Sequence, residues 1–86
     1  MTIMPSGKEP EPGKFARAFS AQVRSSMARQ RVSGSQLAVM IGRSQSYVSK
    51  RLRDEASFTA NDAESICTSL HEDLLEVMIR TIRSMR

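Results

Sequence analysis

Apolar residues recur at helical spacing in successive stretches of the chain, each bounded by a polar break. Phe15, Phe19, Val23 and Met27 are four residues apart, which predicts an amphipathic helix over residues 14–31 with the two phenylalanines as core anchors. Leu37, Ala38 and Ile41 share one face of a second, shorter helix. Ser33 begins it, because its hydroxyl and the Gln36 amide can satisfy each other's free backbone groups in a capping box. Gly42 ends it, at a position that commonly needs a positive φ. Ser44 is the natural cap of a third helix, in which Val48 and Leu52 face inward while Gln45, Ser46, Ser49, Lys50 and Arg53 share the opposite side. After a loop over residues 54–58, Thr59 and Asp62 open a fourth helix that runs to about His71. Its inward residues are Ala63, Ile66, Cys67 and Leu70, and Phe58 before the cap can staple its start.

The last stretch, residues 73–86, forms a further helix with acidic residues leading (Glu72, Asp73, Glu76) and basic ones closing (Arg80, Arg83, Arg86), an order that suits the helix dipole. Its apolar stripe is wide. Leu75 and Ile79 can complete the core, which leaves Met78, Ile82 and Met85 without an internal partner. An exposed methionine-containing stripe marks an adaptable contact surface, so these three are assigned to a homodimer interface, with packing inside the monomer as the alternative. Residues 1–13 show three prolines, two glycines and no periodicity, and read as a flexible arm. Lys8 there can reach a phosphate, but Glu9 and Glu11 oppose an approach to nucleic acid, which favours a simple leader.

With 86 residues the chain is one domain, and every helix must contribute to a single core. The expected fold is therefore all-α, a compact bundle of four to five helices over residues 14–86. No apolar run approaches membrane-spanning length and no signal-peptide pattern opens the chain, so a soluble cytoplasmic protein is expected. Cys67 has no partner for an internal disulfide, and with His71 it cannot complete a tetrahedral zinc site within one chain; a buried structural thiol and a surface imidazole are favoured over a site shared between subunits. No metal, cofactor or small-molecule ligand is expected. The formal charge of +4 is unevenly distributed: nine basic residues and no acidic one lie between Lys14 and Arg53, and seven acidic residues with no Lys or Arg lie between Asp54 and Glu76. A block of one sign implies a field that attracts polyanions.

Two short helices joined by a glycine turn, the second with an outer face of hydrogen-bonding and cationic groups, suit insertion into a DNA major groove. Leu37, Ala38, Ile41, Gly42, Ser44, Gln45, Ser46 and Val48, within residues 33–53, resemble the lambda-repressor-like (Xre/Cro-type) helix-turn-helix family. The resemblance extends from about Phe15 to about Leu75. Arg43 departs from it where an apolar turn residue is common, and Arg51 where an aliphatic residue or Trp usually packs, so that Leu52 is expected in the core instead. The resemblance implies a DNA-binding regulator, with Gln45 and Ser46 contacting bases.

Gln45 carries the donor and acceptor that read adenine, and Ser49 and Lys50, one turn on, can reach further bases, Lys50 most naturally a guanine. Arg43, Ser44, Arg51 and Arg53 are assigned to phosphates, as is Tyr47, whose ring can alternatively pack beneath the helix. The function read from this is sequence-specific binding of double-stranded DNA and repression by covering a promoter, as in phage immunity or Cro-type regulators. A dimer would occupy a roughly palindromic operator with half-sites about 34 Å, or a multiple of it, apart. The alternative is a protein-interaction module, antitoxin-like or antirepressor, that works through the last helix. Single-stranded RNA is disfavoured by the lack of an aromatic platform in the basic segment, and catalysis by the lack of a nucleophile with a base and an orienting group.

Overall fold

Side-chain caps begin four of the five helices. The computed structural model describes residues 10–86, which form α1 (Lys14–Gln30), α2 (Gly34–Ile41), α3 (Gln45–Leu52), α4 (Ala60–Ser69) and α5 (Leu74–Ser84), with no strand among the described residues. Ser33, Ser44, Thr59 and Asp73 each accept a hydrogen bond from the amide three residues on, and at Ser33–Gln36 and Thr59–Asp62 the bond is reciprocated in a full capping box. The chain is all-α. Most of the expected arm, with Lys8, lies outside the described residues; at its end Pro12 is buried and Gly13 is the N-cap residue of α1.

The first four helices end in one shared way. Arg31, Gly42, Asp54 and His71 take left-handed conformations, with φ of 57°, 70°, 60° and 56°. In each case the next amide bonds a carbonyl five residues back: Val32 to Met27, Arg43 to Ala38, Glu55 to Lys50 and Glu72 to Cys67. These bonds occupy carbonyls that a helix end would otherwise leave open, and they turn the chain sharply enough for α1 to α5 to pack around one core.

That core is built from Phe19, Val23 and Met27 of α1, Leu37 and Ala38 of α2, Val48 of α3, Ile66 and Cys67 of α4, Leu70 directly after it, and Val77 of α5. Burying each large side chain is worth roughly 1.5–3 kcal/mol, and Ala38 is small enough to let α2 sit close to its neighbours. Phe58 meets Phe19 edge to face, with ring centres 6.3 Å apart at 86°.

The core departs from the sequence expectation at three places. Phe15 is 44% exposed and lines an open apolar groove with Phe58, Leu74 and Met78 instead of anchoring the interior. Arg51, expected outside, is buried at 7% exposure, while Leu52 is only half-buried. In α5 the inward residues are Val77 and Thr81, with Met78 half-buried against the core, whereas Leu75 is 68% exposed and Ile79 is exposed too. Thr81 can go inside because its hydroxyl donates to the Val77 carbonyl at 2.7 Å. Of the three residues assigned to an interface, Met78 is thus half-buried while Ile82 and Met85 are exposed.

Polar side chains lock the helices in register. Glu72 accepts from Ser26 Oγ at 2.5 Å and from Arg29 Nη2 at 3.1 Å on α1, and its other oxygen accepts from Arg80 Nη2 of α5 at 3.0 Å. Gln30 Nε2 donates to the Leu70 carbonyl at 2.7 Å, and Arg24 Nη1 to the Leu52 carbonyl at 2.8 Å. The Glu72 bonds therefore fix α1 to α5, the Gln30 bond fixes α1 to the end of α4, and the Arg24 bond fixes α1 to the end of α3.

Candidate nucleic-acid interface

The α3 helix is short because Ser44 starts it and a left-handed Asp54 closes the turn after it. Val48 and Arg51 face the interior, so the residues on the far side are turned outward. Gln45 and Ser46 are exposed in the first turn; Ser49 and Lys50 follow on the same side and are half-buried. Ser44 is exposed, with its hydroxyl accepting from the Tyr47 amide at 3.1 Å and lying 3.4 Å from Ser46 Oγ. The four residues expected to read bases thus share one face, with the cap residue at its leading edge. The Ser49 hydroxyl accepts from the Arg53 guanidinium.

The residues assigned to phosphates divide into two groups. Arg43 and Arg53 are exposed and flank α3 at its two ends. Each holds a carboxylate: Arg43 Nε lies 3.2 Å from Asp62 Oδ1, and Arg53 Nε lies 2.7 Å from Glu55 Oε2. Tyr47 and Arg51 belong to the packing beneath the helix. The Arg51 guanidinium sits over the Tyr47 ring at 3.5 Å from its centre, Nε donates to the Ser57 carbonyl and Nη1 to the Tyr47 carbonyl, both at 3.2 Å. The Tyr47 hydroxyl donates to Asp62 Oδ2 at 2.5 Å. Neighbouring carbonyls, the ring and the Asp62 carboxylate thus engage the polar groups of Arg51 and Tyr47, and for Tyr47 this is the packed placement that the sequence left open beside a phosphate contact.

Asp62 is the residue that sequence reasoning used only as a cap. It is 2% exposed, and burial works against its charge, but the bonds from Tyr47 and Thr59 and the nearby Arg43 prevail and hold its carboxyl below the usual aspartate value. Burial, together with the bond to Asp62, pushes the Tyr47 phenol up. A Tyr fifteen residues before an Asp carries no recognisable signal in the chain, which explains the omission.

Folding also redistributes the charge. The one-sign block does not stay unopposed: Arg24 pairs with Asp54, Arg29 with Glu72, Arg43 with Asp62 and Arg53 with Glu55. The Arg53–Glu55 pair, exposed on both sides, is worth little in stability, whereas Asp62 is buried in its pair; each pair lowers the net positive charge at its position. Among the described residues no group of His, Cys, Asp and Glu could hold a metal ion, and no helix is long and apolar enough to cross a membrane. Cys67 is buried, and that burial raises its thiol pKa above the ordinary value.

No protein-family model matches the chain, and no curated protein matches it. Among solved structures, it is similar to crystal structures of the clp gene regulator ClgR from Corynebacterium glutamicum. One is 28% identical with a TM-score of 0.75 and aligns over 88% of this chain and 97% of that one. Another is 29% identical, also with a TM-score of 0.75, over 88% of this chain and 80% of that one. The five-helix arrangement, with its α2–turn–α3 hairpin, is thus shared with a gene regulator over most of the chain.

Proposed function

We propose that this protein is a sequence-specific double-stranded DNA-binding transcriptional regulator of the lambda-repressor-like (Xre/Cro-type) kind, acting as a repressor by covering promoter DNA. The observation that carries the reading is the outward face of α3, where Gln45 and Ser46 stand exposed at the end of a helix held from beneath by Val48, Tyr47 and Arg51. Similarity to ClgR, described as a gene regulator, supports it. In this reading Gln45 and Ser46 contact bases, Ser49 and Lys50 extend the contact along the groove, and Ser44, Arg43 and Arg53 take phosphates. No cofactor or catalytic step is needed, and the site of action is DNA in the cytoplasm.

A homodimer through α5 completes the proposal. Leu75, Ile79 and Ile82 of α5 and Met85 directly after it are exposed large apolar residues. Glu76 lies near its start and Arg83 near its end, so an antiparallel copy would set unlike charges against each other about a two-fold axis. Two α3 helices would then address a pseudo-palindromic operator.

Selection of bound fragments from a random duplex library, followed by salt titration on the enriched duplex, tests both points. A regulator yields an enriched motif with two related half-sites and an affinity that falls steeply with salt. Absence of any enriched motif, combined with self-association or capture of another protein, would favour the interaction-module reading through α5.

A further inference from the structure

Asp62 belongs to α4, yet both its oxygens are committed to the segment that presents the outward face of α3. Oδ1 accepts from Arg43 Nε at 3.2 Å, immediately before the cap, and Oδ2 from the Tyr47 hydroxyl at 2.5 Å, in the first helical turn. Oδ2 also accepts the Thr59 amide at 3.0 Å, which ties the carboxylate to the start of its own helix. The Tyr47 ring also lies against two cations, the Arg43 guanidinium at 4.6 Å and the Arg51 guanidinium at 3.5 Å from its centre. One buried acid therefore braces residues 43–47 at two points, and Tyr47 transmits the brace to the rotation of α3 about its own axis.

We infer that Asp62 is a positioning residue for DNA recognition that sets sequence discrimination through Tyr47 and holds non-specific binding down through Arg43. The inference rests on the DNA-binding reading above. Base edges are read by hydrogen bonds whose geometry fails within a few tenths of an ångström, whereas phosphate contacts carry no sequence information and tolerate small shifts. Loosening the rotation of α3 thus removes discrimination first. The carboxylate also places a negative charge beside Arg43, so neutralising it leaves a full cation at the mouth of the interface. The two effects have opposite signs: specific preference falls while affinity for any duplex rises. A residue that merely held the fold together would lower both affinities in step.

The experiment uses the full chain, with Asp62→Asn and Tyr47→Phe, the duplex most enriched by selection and a shuffled duplex of equal composition. Affinities are read by fluorescence anisotropy across a salt series. Asp62→Asn is expected to reduce the ratio of the two affinities about tenfold, the size of one lost base contact. It should also tighten binding to the shuffled duplex and steepen the logarithmic salt slope by about one. Tyr47→Phe, which keeps the Arg43–Asp62 pair, is expected to reduce the ratio with the slope unchanged. An Asp62→Asn protein with the wild-type ratio and slope, or with both affinities reduced in proportion, overturns the inference. If Asp62→Asn fails to fold by circular dichroism, Tyr47→Phe decides, and a wild-type ratio in that variant is the overturning result. A wild-type chain that shows no preference for any duplex removes the DNA-binding reading itself and this inference with it, an outcome distinct from failure of the variants alone.

Discussion

The guanidinium carbon of Arg51 lies 3.5 Å from the centre of the Tyr47 ring, and the same side chain donates to the carbonyls of Ser57 and Tyr47. Truncation to alanine removes a desolvated cation–π contact and takes the Nε donor from the Ser57 carbonyl. Arg51→Ala should therefore lower the unfolding free energy by about 2–3 kcal/mol, measured by urea denaturation. The salt slope of duplex binding should stay at its wild-type value, because a buried guanidinium neutralises no phosphate. A slope reduced by about one would restore Arg51 to the phosphate contacts.

Gln45 is exposed in the first turn of α3, so its removal should leave folding untouched. Gln45→Ala is expected to cost about 1–3 kcal/mol on the selected duplex and relax preference at one base pair. Competition binding against single-position variants of that duplex makes the measurement. Equal losses on selected and shuffled DNA would take Gln45 off the base-reading face.

Arg51 and Thr81 also show where sequence patterning stops. The caps at Ser33, Ser44 and Thr59 could be read because each depends on a partner three residues away, and the apolar faces of α1 and α4 could be read from Phe19, Val23, Met27, Ile66 and Cys67, although Ser20, Ser26 and Asp62 are buried beside them. A periodicity argument turns every arginine and threonine outward. Here Arg51 is satisfied partly by Ser57 across a loop, and Thr81 by a carbonyl of its own helix, so both enter the interior and displace Leu52, Leu75 and Ile79 toward the surface. The outward placement of Gln45 and Ser46 was legible, since they oppose Val48. The pairing of Arg29 with Glu72 and of Arg43 with Asp62 was not, because the partners are 43 and 19 residues apart.

Acid should loosen the molecule through two carboxylates. The bond from Ser26, helped against burial by Arg80 and Arg29, holds Glu72 below its ordinary 4.5. Asp62 lies below its ordinary 3.8, burial being outweighed by Tyr47, Thr59 and Arg43. Both groups bind their protons more weakly folded than unfolded. Their contribution to stability is whole above those ordinary values and is lost as pH falls through the lower folded ones. Urea midpoints measured from pH 7 down to pH 2 should drop mainly below about pH 4.5, and Glu72→Gln should flatten part of that fall. A Glu72→Gln profile parallel to wild type would show that the clamp on α1 and α5 contributes nothing.

The α5 surface allows a direct test of assembly. Ile82 is about half exposed and faces away from the buried Val77 and Thr81, so a charge there leaves the monomer core alone. Ile82→Glu should yield a monomer by sedimentation velocity with unchanged helicity, and should weaken binding to a two-half-site duplex at least about tenfold while sparing a single half-site. An Ile82→Glu protein that sediments as wild type would exclude this surface as the contact.

Three of the four shared helix ends place a side chain where glycine alone is free of steric cost: Arg31, Asp54 and His71 all carry a β-carbon in a left-handed turn. The backbone carries tension of about 1 kcal/mol or more at each, so the bundle sits below the thermal resilience its topology permits. Glycine at positions 31 and 71, where neither side chain is buried, is accordingly the shortest route to a hardier variant, and one that leaves the outward face of α3 as it is.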